Sequence, residues 1–447
     1  MCARRRPSQR EERGRALARA RAVVTPPTCD VCVVGGGAAG LTAALAAAEA
    51  GARVVLVEAA PEPGRTILAT GNGRCNLTNL RLADALADDA PEVAAYRNRA
   101  FARAVMGADP LDAILGLFGR LGLDTLDEQG RVYPASLAAA SVRSLLVGAC
   151  ERAGVLFACG RVACGLRRCD DGLLQVSWDD GARGGEIAAR AVVCASGGAY
   201  TGARDAQGTL GDDLARLGLA WTMPAHVLCP LACEGVPAEL DGRRARAELS
   251  LVRAGLVVAR EAGELLFRGY GLSGIAVFDL SRVAHSGDRV AVDLLPRYDA
   301  RGLVDHLRDL AGRGLGLADA AAGLMDPQVG SYLAERTSQA RTAESARQEF
   351  ARLAKGWEFT VTGVADETHA QVTRGGLGVE SLDPATLSVR DARAAGLYAC
   401  GEAVDVDGPC GGYNLSWAWL SGLRAGSCAA RHAMGSSTGG SNSPRRV

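Results

Sequence analysis

The sequence predicts an α/β fold in which one domain is assembled from both ends of the chain and a β-rich and helical block is inserted between them. The first observation is a strand, a glycine-rich turn, a helix and a second strand over residues 31–58. The second is a pair of glycine-rich strand ends near residues 195–198 and 396–401, typical of strands that end at the ligand-binding edge of a parallel sheet. The third is a change to prolines and short strands from residue 206, followed by a polar helical stretch.

A dinucleotide-binding fingerprint forms the first α/β unit. A buried strand at residues 31–34 leads into Gly-x-Gly-x-x-Gly at Gly35, Gly37 and Gly40. These glycines permit a tight turn, close approach of a pyrophosphate to the backbone, and close packing of the next helix on the sheet. The helix N-terminus offers free N–H groups and a positive dipole end to phosphates. Glu58, 18 residues after Gly40, is placed to accept hydrogen bonds from a ribose diol. The alternative is a glycine-rich turn in an ordinary α/β domain.

The other elements follow from periodicity and turn residues. We expect mainly helix over residues 82–122, a helix over 141–153, a strand over 155–166, antiparallel strands over 173–178 and 186–191, a buried strand over 191–198, and a last helix over 415–434. The predicted domains are a disordered Arg-rich extension, the first part of the nucleotide domain, a β-rich substrate domain, a helical subdomain, the second part of the nucleotide domain and a flexible tail, at residues 1–28, 29–205, 206–296, 297–354, 355–434 and 435–447.

Composition and charge narrow the class of partner. The 447 residues carry 50 basic and 50 acidic side chains, so no overall field attracts nucleic acid or a membrane surface. No apolar run approaches the about 20 residues that span a bilayer. We therefore predict a cytoplasmic protein with a small-molecule substrate, and the sequence leaves its oligomeric state open. The Arg-rich residues 1–28 retain the alternative of a targeting or nucleic-acid-binding arm.

Cysteine and acidic spacings predict no metal site. Fourteen cysteines without a secretory signal indicate reduced thiols. Cys29 and Cys32 match CxxC, but they lie on the first strand, where positions three apart face opposite sides. Asp405 and Asp407 lack the spacing of a calcium-binding loop.

Three further segments are suited to a flavin. The loop at residues 70–79 (TGNGRCNLTN) combines glycines that permit close approach with Asn side chains that donate and accept, as the flavin ring edge requires. Residues 195–198 end a buried strand where ligands of α/β sheets bind. Glu402 ends another strand within reach of ribityl hydroxyls, and residues 411–413 begin a helix whose dipole would stabilise negative charge on the flavin pyrimidine edge. The alternative for the loop is a polar structural turn.

The sequence resembles a bacterial family of NAD(P)/FAD-dependent oxidoreductases that includes aminoacetone-oxidase-type enzymes and bile-acid-operon ene reductases. The resemblance rests on GRTILATGNGRCNLTN at residues 64–79, on GLYACGEAVDVDGPCGGYNLSWAWLSG at 396–422, and on shorter matches at 130–134, 230–231 and 266–274. It implies a Rossmann-like FAD-binding domain of the glutathione-reductase class with an inserted β-barrel-like domain and a helical subdomain.

The fingerprint, the glycine-rich segments and the resemblance together give the predicted cofactor contacts. FAD is the expected cofactor and NAD(P)H the expected transient electron donor. The predicted contacts are Gly35, Gly37, Ala38, Ala39, Gly40, Glu58, Arg65, Gly71, Asn72, Gly73, Arg74, Cys75, Asn76, Val162, Ser196, Gly197, Gly198, Gly401, Glu402, Gly411, Gly412, Tyr413, Asn414 and Leu415.

The chain departs from the family pattern at several positions. It has Arg268–Gly269 where the family usually has Thr-His, Ile275 where the family has Pro, and Thr66 where Lys is common. The first two departures lie in the inserted domain, so the resemblance does not fix the substrate or a catalytic histidine. It leaves the predicted FAD contacts unaffected.

Residues 269–274 repeat the Gly-x-Gly-x-x-Gly pattern, and Asp293 follows 19 residues later at the end of a predicted strand. One interpretation is a second dinucleotide site, for NAD(P)H. The preceding strand is short and carries Glu264 and Arg268, and the following stretch has no alanine-rich face. We therefore favour a loop on the substrate side of the flavin.

The expected activity is that of an FAD-dependent oxidoreductase in which NAD(P)H reduces the flavin, and an activated C=C bond of an organic acid or thioester is then reduced. Arg74 is a candidate anchor for an anionic group, and Tyr270 and Ser273 are candidate hydrogen-bond or proton donors. The alternative role for all three is cofactor packing or loop structure. Two other functions stay open: an amine oxidase that passes electrons to O₂, and a non-catalytic flavin- or nucleotide-binding protein that contacts RNA through its Arg-rich N-terminal segment.

Overall fold

The polypeptide is divided into two units, each with its own hydrophobic core. The computed structural model describes residues 9–198, 214, 219–365 and 370–435. The first unit comprises residues 1–90, 95–225 and 372–447, and the second comprises 91–94 and 226–371. Both ends of the chain therefore belong to the first unit, and one continuous stretch supplies nearly all of the second.

Helices and strands account for most of the described residues. The helices are α1 Gln9–Arg21, α2 Ala38–Glu49, α3 Arg65–Ala69, α4 Arg99–Met106, α5 Pro110–Arg120, α6 Ala139–Arg152, α7 Ile275–Ser281, α8 Ala300–Gly312, α9 Leu317–Ala322, α10 Pro327–Arg336, α11 Ala343–Lys355 and α12 Tyr413–Gly435. The strands are β1 Thr28–Val34, β2 Val54–Glu58, β3 Thr78–Asn79, β4 Thr125–Glu128, β5 Arg131–Pro134, β6 Leu156–Cys159, β7 Val162–Arg168, β8 Leu174–Asp179, β9 Gly184–Cys194, β10 Trp221–Val227, β11 Leu231–Glu234, β12 Arg244–Arg253, β13 Leu256–Arg268, β14 Gly271–Ser273, β15 Arg289–Asp293, β16 Trp357–Val364, β17 Val372–Leu377 and β18 Leu397–Ala399. Within the described ranges, no helix is long and apolar enough to cross a membrane.

A seven-stranded sheet forms the centre of the first unit. Its order is β6-β2-β1-β9-β8-β7, and β18 also pairs with β9. Strands β6, β2, β1, β9 and β18 are parallel, whereas β7 and β8 run antiparallel. Val31, Cys32 and Val33 of the central strand β1 are fully buried, as expected for a parallel strand covered on both faces. This arrangement confirms the predicted Rossmann-type α/β fold.

Two strand boundaries differ from the sequence prediction. The strand expected over residues 155–166 is divided into β6 and β7 by Gly160, whose φ is +68°. The N–H groups of Gly160 and Arg161 donate to the carbonyl oxygens of Ala60 and Glu58, so the chain turns across the end of β2. The two strands expected on either side of residue 191 form the single strand β9. It pairs with β8 early and with β18 late, and a local pattern does not show such a change of partner.

Helices α2 and α12 pack with their backbones nearly in contact. A Cβ atom on Gly426 would lie 2.1 Å from the carbonyl oxygen of Ala43, and one on Gly422 would lie 2.4 Å from that of Ala39. Glycine is therefore required at both positions of α12. The contact joins the helix that follows the dinucleotide fingerprint to the last helix of the chain, so the two chain ends share one core.

From residue 9 onward, the N-terminal segment differs from the disordered extension that its composition predicts, whereas residues 1–8 lie outside the described residues. Residues 9–21 form α1, and Ala20 of this helix is buried. Leu17 of the same helix packs at Gly160, where an added Cβ would lie 2.8 Å from Leu17 Cδ1. The buried guanidinium of Arg161 donates to the carbonyl oxygen of Val23 over 2.5 Å. The segment has few apolar positions among many arginines, so its composition did not predict that it packs against the first unit. Residues 436–447, expected to be a flexible tail, lie outside the described residues.

A closed barrel of six strands, in the order β11-β14-β13-β12-β15-β16, forms the centre of the second unit and confirms the expected inserted barrel. Phe267, Trp357 and Phe359 form an aromatic cluster in its core, with ring centroids 4.9 to 6.2 Å apart. Helices α7 to α11 belong to the same unit. Strand β16 closes the barrel, whereas the sequence assigned residues from 355 onward to the nucleotide domain. Its pairing partners are distant in sequence, so its own alternation could not assign it.

The second Gly-x-Gly-x-x-Gly pattern belongs to this barrel. A Cβ atom on Gly271 would lie 2.1 Å from the carbonyl oxygen of Leu231, and one on Gly274 would lie 2.3 Å from that of Glu264. Strands β13 and β14 pair antiparallel, and β15 pairs antiparallel with β12 and β16. A dinucleotide fingerprint needs a parallel βαβ unit. Here the glycines instead permit close strand contacts, and the interpretation as a second dinucleotide site is wrong.

The pair Cys29 and Cys32 also departs from the expected geometry. Both are buried, and a hydrogen bond with Cys29, together with loss of hydration, raises the pKa of the Cys32 thiol. Strand β1 begins irregularly, because the N–H groups of both Asp30 and Val31 point to the carbonyl oxygen of Arg53. The strict alternation on which the prediction of opposite faces rested is therefore broken.

Asp30 predicts a measurable dependence of stability on pH. Arg53 Nε lies 3.1 Å from Asp30 Oδ2 and Arg190 Nη1 lies 2.9 Å from Oδ1, and these contacts, Arg53 foremost, lower the pKa of Asp30. The ionised Asp30 carboxylate therefore contributes to the free energy of unfolding. This contribution is fully present above the pKa of about 3.9 that Asp has in the unfolded chain, and it is lost as the pH falls through the lower pKa of the folded state. Because the side chains of Arg53 and Arg190 are 69% and 40% exposed, solvent weakens both pairs. We expect Asp30→Asn to lower the free energy of unfolding by about 1 kcal/mol at neutral pH.

Urea denaturation at neutral pH and near pH 3 tests this expectation for Asp30→Asn, with the exposed Asp170→Asn as a matched control. The difference in free energy of unfolding between the unmodified protein and Asp30→Asn should be smaller near pH 3 than at neutral pH. Asp170→Asn should show no such change with pH. Equal stabilities of wild type and Asp30→Asn at neutral pH would contradict it.

Candidate functional site

The turn after β1 has no room for side chains at its predicted glycines. Gly35 has a φ of +102°, and a Cβ there would lie 2.2 Å from the carbonyl oxygen of Ala195. A Cβ on Gly40 would lie 1.8 Å from the carbonyl oxygen of Gly35. Gly37 precedes α2, and no side chain of the described residues caps that helix. The first N–H groups of α2 are therefore available to an anion such as a pyrophosphate.

Glu58 closes the other side of this turn. Its Oε2 accepts from the N–H of Gly36 over 2.5 Å and its Oε1 from the N–H of Ala60 over 2.7 Å. Loss of hydration raises the pKa of Glu58, while the two N–H groups and the charge of Arg65 act in the opposite direction. The carboxylate therefore lies at the end of β2 beside the glycine turn, where the sequence predicts ribose recognition. Its bond to Gly36 is a detail that the motif did not show.

Two other predicted contacts lie near Glu58. Arg65 begins α3 directly after Gly64, whose N–H donates to the carbonyl oxygen of Gly36 over 2.7 Å. Val162 begins β7 next to Arg161, whose N–H donates to the carbonyl oxygen of Glu58. The structure thus brings both residues to the fingerprint, although 97 positions of sequence separate Arg65 from Val162.

The loop that carries TGNGRCN is built from left-handed residues. Gly71, Asn72, Gly73 and Cys75 have φ values of 55°, 54°, 85° and 58°. This conformation costs free energy for the two residues that carry a side chain, and such strain is concentrated at ligand-binding turns. Burial raises the pKa of the Cys75 thiol to about 11, so the thiol stays protonated at neutral pH and packs in the core. The sequence could not distinguish this packing role from a contact with the cofactor.

Asn76 has a buried acceptor that fits a ligand with an N–H group. Its side chain is buried, with 9% of the residue exposed, and its Oδ1 has no hydrogen-bond partner among the described residues. A Cβ on Gly412 would lie 2.9 Å from that oxygen, so Oδ1 faces the bare side of the Gly411–Gly412 turn. A buried acceptor left without a donor costs about 1–3 kcal/mol. A ligand with a ring N–H, as in a flavin, would satisfy it.

The loop and the start of α12 are held against each other. Asn79 Nδ2 donates to the carbonyl oxygen of Gly411 over 2.9 Å, and the hydroxyls of Thr78 and Ser416 are 2.8 Å apart. A Cβ on Gly412 would lie 2.6 Å from the carbonyl oxygen of Thr78. The two segments predicted to hold the flavin ring therefore meet, although more than 330 residues separate them.

Three predicted contacts follow the glycine pair and have protein partners of their own. Tyr413 is buried, and its carbonyl oxygen accepts from the hydroxyl of Tyr96 over 2.6 Å. Asn414 accepts from the N–H of Gly408 and donates to its carbonyl oxygen, so its amide closes the preceding turn. Leu415 packs partly buried against the core of the first unit. These side chains therefore stabilise the turn, and if these residues contact the cofactor, they would do so through their backbone atoms.

Two strand ends meet at Glu402. Its Oε2 accepts from the N–H of Gly198 over 3.3 Å, and its Oε1 accepts from the N–H of Thr373 over 2.6 Å. Loss of hydration raises the pKa of Glu402. Gly401 has a φ of +64°, and a Cβ there would lie 2.6 Å from Ala39 Cβ. The predicted segments 195–198 and 401–402 thus join the start of α2, on the same side as the fingerprint.

Two buried carboxylates beyond Glu402 are paired with arginines that sequence reasoning missed. Asp405 Oδ1 accepts from Arg97 Nε over 2.9 Å, and both oxygens of Asp407 accept from Arg374 over 2.8 Å. The pairs fix the backbone between Glu402 and the glycine turn. Across the described parts of the chain, no group of three His, Cys, Asp or Glu side chains is placed to hold a metal ion. No motif marks either arginine, because its partner lies far away in sequence.

Replacing Asp407 with Asn should destabilise the protein. The change would leave the Arg374 guanidinium without its carboxylate, and Asp407 is fully buried. Breaking a fully buried pair costs about 3–5 kcal/mol. Since Arg374 is 23% exposed and would regain some water, we expect about 2 kcal/mol here. Thermal unfolding measures the loss, and Glu349→Gln, which breaks the exposed pair with Arg352, should change stability by less than about 0.5 kcal/mol. Similar losses in the two variants would contradict a stabilising role for the Asp407 pair.

The candidate catalytic residues are divided between the two units. Arg74 Nη2 lies 2.6 Å from Glu128 Oε2, and its guanidinium stacks 4.2 Å from the ring centroid of Tyr133. Tyr270 is exposed in the second unit, with the Arg268 guanidinium 5.6 Å from its ring centroid. Ser273 is buried in β14 of the barrel, which favours a packing role. The roles of all three stay predictions.

The comparison with protein families agrees with this geometry. The sequence model described as HI0933-like protein Rossmann domain matches residues 29–428. The chain belongs to this family. Among curated proteins, it is 32% identical over 428 residues to the 3-dehydro-bile acid delta(4,6)-reductase of Clostridium scindens, covering 89% of this chain and 98% of that protein. It is 28% identical to the ribosomal RNA dihydrouridine synthase of Escherichia coli, covering 88% of this chain and 96% of that protein.

Among solved structures, the 3-ketosteroid-delta4-(5alpha)-dehydrogenase of Rhodococcus jostii RHA1 has a TM-score of 0.48 and 17% identity, covering 92% of this chain and 98% of that one. As a member of the HI0933-like family, the protein is an FAD-dependent oxidoreductase, as the sequence analysis expected. The fit of Asn76, Glu58 and the bare glycine turns to a flavin dinucleotide is consistent with that membership. The individual FAD contacts stay predictions.

Proposed function

We propose that this flavoprotein reduces a C=C bond conjugated to a carbonyl group, with NAD(P)H as the electron donor. The observation that carries the proposal is the 32% identity, over 89% of the chain, to a protein named as a delta(4,6)-reductase of a 3-dehydro-bile acid. Double bonds at those positions are conjugated to the 3-oxo group. The Escherichia coli relative is named for dihydrouridine, the product of reducing a pyrimidine double bond that is also conjugated to a carbonyl. The two named reactions have different substrates, but each concerns a C=C bond conjugated to a carbonyl group.

The first unit supplies what a flavin reductase needs to hold its cofactor. FAD, when bound, supplies hydride chemistry that amino-acid side chains lack. The free N–H groups of α2 would bind the pyrophosphate, Glu58 the ribose, and Asn76 a ring N–H. Conjugation to a carbonyl favours hydride addition at the far carbon, because the negative charge develops on the oxygen. The protein must then provide a donor to that oxygen and a proton to the near carbon.

Tyr270 is the candidate for that donor. A phenol hydroxyl can donate a hydrogen bond to a carbonyl oxygen. The exposed ring of Tyr270 is accessible to a substrate, in contrast to the buried hydroxyl of Ser273. Tyr270→Phe should slow the oxidation of reduced enzyme by substrate without affecting reduction by NAD(P)H. Tyr332→Phe is the control, because the Tyr332 hydroxyl accepts a hydrogen bond from Arg336 within α10, on another element of the same unit. Equal rates for wild type and Tyr270→Phe would remove the proposed role.

Anaerobic spectroscopy of the holoprotein tests the proposed reaction in two halves. NADH and NADPH are titrated separately, and reduction is followed by the loss of flavin absorbance. The reduced protein is then mixed with a steroid acid that carries a 3-oxo-4-ene group, with the saturated ketone as a control. The proposal requires reoxidation by the conjugated compound only. Reduction by an amine alone, with peroxide formed on admitting air, would establish the amine-oxidase alternative and overturn the proposal.

A second candidate is reduction of uridine in RNA, which the name of the Escherichia coli relative favours. The same reduced protein is incubated with unmodified ribosomal RNA, and dihydrouridine is measured in the nucleosides after digestion. Formation of dihydrouridine without reoxidation by the steroid would select this function. It would also overturn the expectation that no nucleic acid is a partner, which rests on zero net charge alone.

A further inference from the structure

Arg131 lies in a small sheet beside the predicted flavin ring site. Strand β5, which begins with Arg131, is the middle strand of the order β3-β5-β4. The residues opposite Arg131 are Asn79 on β3 and Glu128 on β4. Directly opposed residues of antiparallel strands share a face, so these three side chains project from the same side of the sheet. Asn79 also bonds to Gly411, which connects this face to the start of α12.

The charges on this face do not cancel. Glu128 is engaged by Arg74, with Nη2 and Oε2 2.6 Å apart. Arg74 is further fixed by stacking on Tyr133. Arg131 forms no ion pair with a described residue, and it is only partly exposed. A half-buried guanidinium without a carboxylate loses hydration and gains little in return, so its position calls for an anionic or strongly polar partner.

The guanidinium faces the bare glycine turn. A Cβ on Gly411 would lie 3.4 Å from Arg131 Nε, 3.5 Å from Asn79 Nδ2 and 3.9 Å from Asn76 Nδ2. Three side-chain nitrogens therefore surround the space that Gly411 leaves open, and one of them, Asn79 Nδ2, also donates to the carbonyl oxygen of Gly411. The unpartnered, buried Oδ1 of Asn76 lies at the neighbouring Gly412 and is the independent sign that a ligand fills this space. One acceptor among several donors, with a net positive charge, is complementary to a ring edge that has one N–H and two carbonyl groups.

We propose that Arg131 places positive charge at the flavin pyrimidine edge, where the negative charge of the reduced ring collects, and so makes the protein bind reduced FAD more tightly relative to oxidised FAD. Charge held close to a partly dehydrated site is only weakly screened, so a single guanidinium has a large effect there. The inference deepens the proposed function and rests on its cofactor. A flavin that holds negative charge well accepts electrons from a nicotinamide more readily.

Sulfite titration of the holoprotein tests the proposal without substrate or nicotinamide. Sulfite adds reversibly to oxidised flavin, bleaches its absorbance and leaves negative charge on the pyrimidine edge. Arg131→Gln should weaken sulfite binding by at least about tenfold. Arg131→Lys keeps the charge and should recover most of that loss. Arg81→Gln removes an exposed guanidinium two residues beyond Asn79 and is expected to match the unmodified protein.

A second measurement applies if a variant loses FAD during purification, or if the flavin of the unmodified protein does not bind sulfite. Oxidised FAD and dithionite-reduced FAD are titrated separately into each cofactor-free protein. The ratio of the two dissociation constants should change by at least about tenfold in Arg131→Gln, against the reduced form. An unchanged ratio overturns the proposal. If the ratio is unchanged in Arg131→Gln and the KM for an acidic substrate is raised, Arg131 binds the substrate instead of the flavin. Failure to reduce a conjugated ketone would leave both titrations intact, so the two ideas fail separately.

Discussion

Replacing Gly426 with alanine is expected to destabilise the protein by about 3 kcal/mol or more, and to release FAD. The new methyl group would lie 2.1 Å from the carbonyl oxygen and 2.7 Å from the Cα of Ala43. These are backbone atoms of α2, so no side chain can rotate to make room. The two helices would have to separate along their length. Because α2 begins at the fingerprint and α12 begins at the glycine turn, the separation would open both ends of the cofactor site.

Gly116→Ala is the matched control for that prediction. Gly116 also lies inside a helix, α5, and an added Cβ there meets no atom within 4 Å. Alanine is the better helix former by up to about 1 kcal/mol, so this variant should be equally stable or slightly more stable. Thermal unfolding of the two variants, with and without added FAD, gives the comparison. Equal melting temperatures would show that α2 and α12 can adjust, and the close contact would not be essential.

The parts of this fold that sequence could predict are those encoded locally. The turn at Gly35 and Gly40 depends on residues close in sequence, and so does the position of Glu58 at the end of the next strand. Buried runs indicated the nucleotide-binding sheet, and short strands indicated a β-rich inserted block. The barrel itself was implied only by the family resemblance. The loop at residues 70–79 was identified by its glycines and asparagines, and in the structure Gly71 and Gly73 have positive φ values and Asn79 bonds to Gly411. Its contact with FAD stays a prediction.

The parts that could not be predicted depend on distant partners. Strand β16 belongs to the barrel only because β11 and β15 pair with it, and nothing in its own residues names those strands. Arg97 and Arg374 are ordinary arginines until the fold brings Asp405 and Asp407 to them. Arg131 was noted only within a short match to the family, because its importance depends on Glu128 being occupied by Arg74. Local patterns identify the residue types of a site, and the fold decides which of them remain available to a ligand.

Asn76 and Asn414 show that distinction within one residue type. Both lie in segments predicted to contact FAD. The Asn414 amide makes two hydrogen bonds to the backbone of Gly408, so it stabilises the turn. Asn76 is buried and its Oδ1 has no hydrogen-bond partner among the described residues, so this oxygen does not stabilise the cofactor-free fold. A group that destabilises the cofactor-free fold is expected to be kept only for what it binds.

Asn76→Leu should therefore have opposite effects on binding and on folding. Leucine has the same number of side-chain heavy atoms as asparagine and removes the buried acceptor, so the cofactor-free protein should be unchanged or more stable by about 1 kcal/mol. FAD would lose its hydrogen-bond partner, and we expect its dissociation constant to rise about 30-fold or more. Quenching of FAD fluorescence measures the binding, and thermal unfolding of the cofactor-free protein measures the stability.

Asn414→Leu provides the reverse case. Its loss of both bonds to Gly408 should destabilise the cofactor-free protein by about 2 kcal/mol. Any weakening of FAD binding would then follow from loss of the turn, and it should fall as the temperature is lowered and the turn re-forms. Asn76→Leu should bind FAD weakly at every temperature at which it is folded. If Asn76→Leu bound FAD as tightly as the unmodified protein, the empty acceptor would have to be satisfied by water, and the ring site would lie elsewhere.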